Sequence, residues 1–284
     1  MSNFLTRTLS GAVYVGLVVA SILVHPVFFF VLFLLFSMYA VWEFHTLMQS
    51  PLMIRVISVL MGGLLFYLTW LIFRGYSAEV CGGVFMTELL LLFFTLISVL
   101  FIRPTQEKPV NAVLLWGNIL GSLIMIALPF AMMNILMYHN TYKNDMAAFR
   151  LLALFITIWV NDSGAYCVGS LTAKRAGGNH KMFPRVSPAK SWEGLFGGIA
   201  FSLLAGVIFW KVGWLPSCWA ALVYTLVISV FGTLGDLMES LMKRTIGVKD
   251  SGRFLPGHGG ILDRFDSVLL AVPAATIFMF IFLI

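Results

Sequence analysis

Apolar runs of nearly constant length dominate this chain: 26–49, 52–74, 78–102, 112–137, 149–171, 191–210, 214–238 and 261–284 follow one another with short polar breaks. Each is close to the ~20 residues that a helix needs to cross a bilayer. A backbone in hydrocarbon must satisfy its own hydrogen bonds, so runs of this kind are read as helices. The segment 5–24 pairs a short basic region at Arg7 with an apolar run, which resembles a signal peptide. It has no small-x-small cleavage site and continues through His25-Pro26 into the next run, so it is read as a retained ninth helix. A chain that is 60% hydrophobic and 11% charged excludes a soluble globule. The expected fold is all-α, a polytopic helical integral membrane protein with about nine transmembrane helices. Residues 1–148 hold the N-terminal membrane helices, about five spans. Residues 149–284 hold a C-terminal catalytic membrane region of about four spans with two polar loops.

The cations orient this arrangement. Of the 18 lysines and arginines, only Arg74, Lys143, Arg150 and Lys211 fall on one side of the nine-span scheme. The positive-inside rule then predicts a cytoplasmic N-terminus and an outside C-terminus in a bacterial-type inner membrane. The polar loops 172–190 and 239–260 share the cytoplasmic face. The net charge of +6 sits in juxtamembrane loops, where anionic lipid headgroups favour it, and calls for no nucleic acid. Cys81, Cys167 and Cys218 lie in apolar segments without metal-ligand spacing and read as small buried hydrophobes. Glu43 and His45 are the polar exceptions within the N-terminal spans, read as interfacial or paired within the bundle.

The second half carries acids at helical spacing. Asp236, Glu239, Ser240 and Lys243 fall at i, i+3, i+4 and i+7, on one face of a helix end; Asp263, Asp266 and Ser267 repeat the pattern at the next helix start. Carboxylates this close to apolar sequence must be paired, neutralised or metal-bound. Hard oxygen ligands suit Mg²⁺, which takes one or two carboxylates and leaves its other positions to water and substrate phosphates. Asp236 and Asp263 are the predicted ligands, whereas Asp250 reads better as a partner of Lys249. Between them Lys243, Arg244, Lys249, Arg253 and Arg264 offer charge-assisted donors, and Gly257, Gly259 and Gly260 permit close backbone approach to an anion. Together these point to a Mg-bound polyphosphate. His258 has no second His or Cys at ligand spacing and is read as shaping the turn. In the other loop, Ser187-Pro188 reads as a helix start, with Lys190 and Glu193 at i, i+3 on its first turn, so that free backbone N–H groups and the lysine would face an anion together.

The run SLMKRTIGVKDSGRFLPGHGGILDRFD at 240–266 resembles the C-terminal motif of the phosphatidate cytidylyltransferase (CDP-diacylglycerol synthase) family, and matches it throughout. Asn161-Asp162-Ser-Gly-Ala-Tyr166 and Ser187-Pro-Ala-Lys190-Ser-Trp-Glu-Gly194 also resemble family segments. Ala189 stands where a second lysine is frequent and Ser191 where threonine is usual. The resemblance implies the reaction of CTP with phosphatidate to give CDP-diacylglycerol and pyrophosphate. It implies Mg²⁺, with a second cation such as K⁺ left open, and a homodimer in the membrane lipid. On this reading Asp236 and Asp263 hold the divalent cation, and Lys243, Arg244, Lys249 and Arg264 hold phosphates. Ser187 and Lys190 contribute from the facing loop. Ser240, His258, Gly259 and Gly260 join the substrate site, and Asp162 and Asp266 give substrate contact or support. Alternatives are a transferase acting on another lipid, a catalytically idle paralogue and, from another class, a cation transporter. A transporter is expected to place charges near the midplane in repeated halves, and this sequence shows no repeat.

Overall fold

Helix boundaries in this chain follow local signals. In the computed structural model, which describes residues 3–102, 111–138, 147–174, 178–252, 254 and 259–282, eight helices are long and apolar enough to cross a membrane, and a shorter apolar stretch spans Thr8–Leu23. The expected all-α membrane architecture is what is observed.

The chain divides into two units, Met1–Ile135 with Asp250–Asp263, and Leu136–Lys249 with Arg264–Ile284. In the first, α1 (Asn3–Leu23) precedes α2 (Pro26–Leu47), whose start is set by Pro26 and by His25, whose Nδ1 accepts from the Val27 N–H at 3.1 Å. Helices α3 (Leu52–Phe73) and α4 (Ala78–Ser98) follow, with Gly75 at φ +78° ending the former and Ser77 capping the latter. Phe29, Phe33, Met61, Phe66 and Ile119 are fully buried and form the core, with the Phe29 and Phe33 rings tilted by 34° and their centroids 4.7 Å apart.

Helix α5 (Ala112–Ser122) leads through a π turn at Leu123–Ala127 into α6 (Leu128–Tyr138). Pro129 explains the widened turn: its nitrogen has no hydrogen to donate to the carbonyl four residues back, and its ring crowds that carbonyl. His45 ties α2 to α5, with Nδ1 against Ser50 Oγ at 2.9 Å and Nε2 against Ser122 Oγ at 3.0 Å. Each of its ring nitrogens therefore has a partner, as a fully buried imidazole requires.

In the second unit, α7 (Ala147–Ala173) is followed by a two-stranded antiparallel hairpin, β1 (Lys181–Phe183) and β2 (Ser187–Ser191), and then α8 (Trp192–Lys211). Helix α9 (Cys218–Thr245) continues well past residue 238, where its apolar run ends. Asp236, Glu239, Ser240 and Lys243 stay helical because they pair with one another along one face. Gly247 at φ +75° then closes the helix, donating to Arg244 O while Val248 N–H reaches Lys243 O. The short α10 (Leu262–Phe265), which passes from the first unit into the second at Arg264, and α11 (Val268–Phe282) end the described chain.

Helices α7 and α8 meet through small residues. A Cβ at Gly198 would stand 2.7 Å from the Asn161 carbonyl, one at Gly194 3.0 Å from the Ala165 carbonyl, and one at Gly197 would run into Val168. Such close backbone approach is how membrane helices gain packing without a hydrophobic drive between them. Gly235 does the same for α9, its missing Cβ lying 2.6 Å from the Asp266 carbonyl. The chemistry-bearing ends of α7 and α9 and the carboxylate of Asp266 are thereby drawn together within the second unit.

One expectation is corrected here. Ser187-Pro188 does not start a helix: both residues lie in β2, Ser187 paired with Phe183, and the helix begins at Trp192. Ser191 is the cap, extended at φ −130° and accepting from the Gly194 N–H at 3.2 Å. The hairpin holds Ser187–Ser191 extended, so the anticipated first-turn anion site around Lys190 and Glu193 does not form.

Candidate functional site

The polar ends of α7, α8 and α9 and the hairpin enclose a cavity of about 440 Å³ within the second unit, a volume typical of small-molecule sites. Asn161, Asp162, Ala165, Tyr166 and Gly169 line it from α7, Lys181, Ala189 and Lys190 from the hairpin, and Thr233 and Asp236 from α9. Lys190 Nζ lies 2.6 Å from Asp236 Oδ2 and 3.5 Å from the Thr233 carbonyl, and Ser240 Oγ donates to Asp236 Oδ1 at 3.3 Å. Asp236 is thus held by one cation and one hydroxyl on different elements. Tyr166 is 76% exposed at the rim, and Asn179 pins the hairpin approach by donating to the Gly169 carbonyl at 3.1 Å. Glu193 belongs to the hairpin approach: it accepts from the His180 N–H at 3.1 Å, and its Oε1 lies 2.6 Å from the ring Nδ1.

More charge gathers behind this pair. Asp162 lies within electrostatic reach of Asp236, Lys190 and Arg264, and Asp266 within reach of Asp236, Glu239 and Asp162. Asp266 also accepts from the Ser267 N–H. Lys243, predicted to hold phosphate, is buried and ion-paired with Glu239 one turn away. Arg244 is exposed, donating to Val186 O of the hairpin at 3.5 Å and to Val248 O at 3.3 Å. It therefore straps the hairpin to the end of α9. Lys249 is exposed beyond that end, and Ser187 is half-buried at the start of β2.

In the first unit, backbone donors from Ser251 and Gly260 converge on Asp263. Its carboxylate accepts from the Ser251 N–H, 3.1 Å to Oδ1 and 2.8 Å to Oδ2, and from the Gly260 N–H at 2.8 Å. Gly259 sits at φ +81°, where a Cβ would strike that same carboxylate, so glycine is required there twice over. Arg253, Gly257 and His258 lie outside the described residues.

Glu43 is a residue that sequence reasoning left without a role in the site. It is buried on α2, and Oε2 accepts from the Leu262 N–H at 2.8 Å and from Ser251 Oγ at 3.3 Å. The available signal was an acid within an apolar span, which marks function by default in a membrane. Its partner lies more than 200 residues away in sequence, beyond the reach of spacing arguments.

The arrangement can bind an anion through Lys190 and the cations of α9, and it can offer hard carboxylate oxygens to a cation. Among the described residues no three His, Cys, Asp or Glu side chains converge into an all-protein metal cage. Hard carboxylate oxygens such as those of Asp236 are the donor type that suits Mg²⁺, which draws on one or two carboxylates together with water and substrate oxygens.

Over 144 residues the chain is 44% identical to a phosphatidate cytidylyltransferase of Staphylococcus haemolyticus and 48% identical to one of Staphylococcus epidermidis, covering 50% of this chain and 53% of each relative. It is 45% identical over 130 residues to one of Staphylococcus aureus, covering 45% of this chain and 48% of that protein. The matched region thus spans about half the length of these relatives. The sequence model of the cytidylyltransferase family, by contrast, matches residues 5–282, nearly the whole chain. The chain belongs to the cytidylyltransferase family.

Proposed function

We propose that this protein is a phosphatidate cytidylyltransferase, forming CDP-diacylglycerol and pyrophosphate from phosphatidate and CTP at the cytoplasmic face of a bacterial cell membrane. The observation that carries the reading is the Lys190–Asp236 pair at the polar end of the 440 Å³ cavity, in a chain of the cytidylyltransferase family. A phosphate oxygen of phosphatidate attacks the α-phosphorus of CTP. The new P–O bond forms as the bond from the α-phosphorus to the α–β bridging oxygen breaks, and pyrophosphate leaves with that oxygen. The nucleophile is already anionic, so catalysis rests on positioning and charge neutralisation rather than on a strong base.

Asp236 and Asp263 are the carboxylates assigned to a divalent cation, which when bound neutralises phosphate charge. Lys190 fixes Asp236 and reaches toward the triphosphate. Arg244, Lys249 and Arg264 supply further cationic donors, and Asp162 and Asp266 set the local charge. Ser187, Ser240, His258, Gly259 and Gly260 complete the substrate site. The excess of Lys and Arg on one set of loops supports a cytoplasmic N-terminus and active site. A homodimer is part of this reading, as the family resemblance suggests.

The test uses the purified protein in mixed micelles with phosphatidate and α-labelled CTP, comparing Mg²⁺ with EDTA. Label in the lipid phase with release of pyrophosphate, lost in EDTA, is expected. Transfer only to another lipid acceptor would overturn the substrate, and no transfer to any acceptor would overturn the activity.

A further inference from the structure

We infer that Glu43, on the second helix of the chain, is a positioning residue that sets the carboxylate of Asp263 by clamping both ends of the loop 250–263. The inference rests on the proposed role of Asp263 as a cation ligand in cytidylyl transfer.

A chain of five hydrogen bonds carries it. Glu43 Oε2 accepts from the Leu262 N–H at 2.8 Å, immediately before Asp263. The same oxygen accepts from Ser251 Oγ at 3.3 Å, and that hydroxyl oxygen in turn accepts from the Asp263 N–H at 3.3 Å. Ser251 then donates its own N–H to both oxygens of the Asp263 carboxylate. One acid thus anchors the end of the loop through Leu262 and its start through Ser251, the serine that grips the functional carboxylate. All of these residues belong to the first unit.

Glycines confirm how closely the clamp is fitted. A Cβ at Gly252 or at Gly260 would collide with the Glu43 carboxylate, and one at Gly260 would also strike Ser251 Oγ. Two of the loop's small residues are therefore accounted for by an acid contributed from more than 200 positions upstream. Glu43 is only 4% exposed, and burying a carboxylate costs several kcal/mol unless donors converge on it. Generic helix packing would not select such a residue, whereas ordering a loop whose backbone donors must face a second carboxylate does. Groups that orient a metal's ligands in this way typically change metal affinity or activity by 10- to 100-fold when removed.

The experiment compares the full-length wild type with Glu43→Ala, Glu43→Gln and a control, Glu88→Gln, which alters another buried acid of the same unit. Hydrogen exchange by mass spectrometry reads the loop in the metal-free protein, electron paramagnetic resonance reads binding of Mn²⁺ alone, and the labelled-CTP assay separates kcat from KM. For Glu43→Ala the expected result is faster exchange confined to 250–263, roughly tenfold weaker Mn²⁺ binding, and a loss in kcat with the KM for phosphatidate unchanged. Glu43→Gln keeps an acceptor for the Leu262 N–H and should recover part of each loss, and Glu88→Gln should leave all three at wild-type values.

If Glu43→Ala does not fold, Glu43→Gln decides by the same readouts. Wild-type exchange and Mn²⁺ affinity in the folded variant, or exchange raised equally throughout the first unit, would overturn the inference. If the wild type itself transfers no cytidylyl group, the functional reading fails, and the exchange data still decide whether Glu43 orders the loop.

Discussion

Lys190 and Asp236 meet at 2.6 Å across the cavity, one from the hairpin and the other from a membrane helix, with side chains 23% and 30% exposed. An ion pair this sheltered is worth more than a surface pair, yet removing either partner leaves a partly desolvated charge behind. Lys190→Ala should lower kcat/KM for CTP by about 10- to 100-fold, equivalent to about 1.4–2.8 kcal/mol of lost transition-state binding. Lys190→Arg should recover part of this, because it keeps the charge but changes its geometry. Asp236→Asn should be more severe, removing the charge while keeping the shape. Steady-state kinetics with varied CTP and Mg²⁺ check both. An Asp236→Asn enzyme of wild-type rate would remove this residue from the site.

The α7–α8 crossing gives a test that separates packing from chemistry. At Gly198 a methyl group has no room against the Asn161 carbonyl, so Gly198→Ala should cost about 1–3 kcal/mol of stability through overpacking. Gly117 lies in α5 with nothing within 4 Å of its would-be Cβ, and there Gly117→Ala should be neutral or stabilising by up to about 1 kcal/mol. Thermal unfolding of the detergent-solubilised variants should show the first lowered and the second unchanged or raised.

Much of this was legible in the sequence. The spans were readable because hydrocarbon leaves the backbone only one way to satisfy itself, and the site's acids because a charge beside lipid needs a reason to be there. What was not legible depended on competition between neighbours. Ser187-Pro188 carries a helix-start signal, but Ser191 has a better one, with Gly194 placed to donate to it, and the hairpin takes the intervening residues. Lys190 and Glu193 looked like neighbours on one first helical turn, and instead each found a partner elsewhere, Asp236 for the lysine and the His180 ring and N–H for the glutamate. Glu43 was visible as an acid in an apolar run, but its contact to Ser251 joins distant parts of the chain, and no local pattern encodes that.

Gly259 separates backbone strain from loss of function. Two glycines, Gly213 at φ +79° and Gly259 at φ +81°, share the left-handed conformation, but only the second has a carboxylate where a Cβ would sit. Gly213→Ala should cost about 1–2 kcal/mol of stability with activity intact, the ordinary penalty for that conformation. Gly259→Ala should add displacement of the Asp263 carboxylate and reduce kcat by at least about tenfold. Equal activities in the two variants would show that the position of Asp263 is immaterial to turnover.

Lys243 and Glu239 pose the sharpest question about assignment, since the lysine predicted to bind phosphate is ion-paired within its own helix. Both residues are buried, and breaking such a pair from one side costs about 3–5 kcal/mol because the remaining charge is stranded. Lys243→Met alone therefore cannot distinguish a phosphate ligand from a counter-ion, since activity falls in either case. The double variant Glu239→Gln/Lys243→Met can, because it removes both charges and with them the stranded ion. If neutralising Glu239 were the whole function of Lys243, the double variant would regain both stability and turnover. If Lys243 also meets the triphosphate, the double variant should regain its unfolding temperature while the KM for CTP stays raised by about tenfold, one charge-assisted contact's worth. The second outcome is expected, because Lys243 shares one helical face with Asp236 and Ser240, the side of α9 that reaches the cavity.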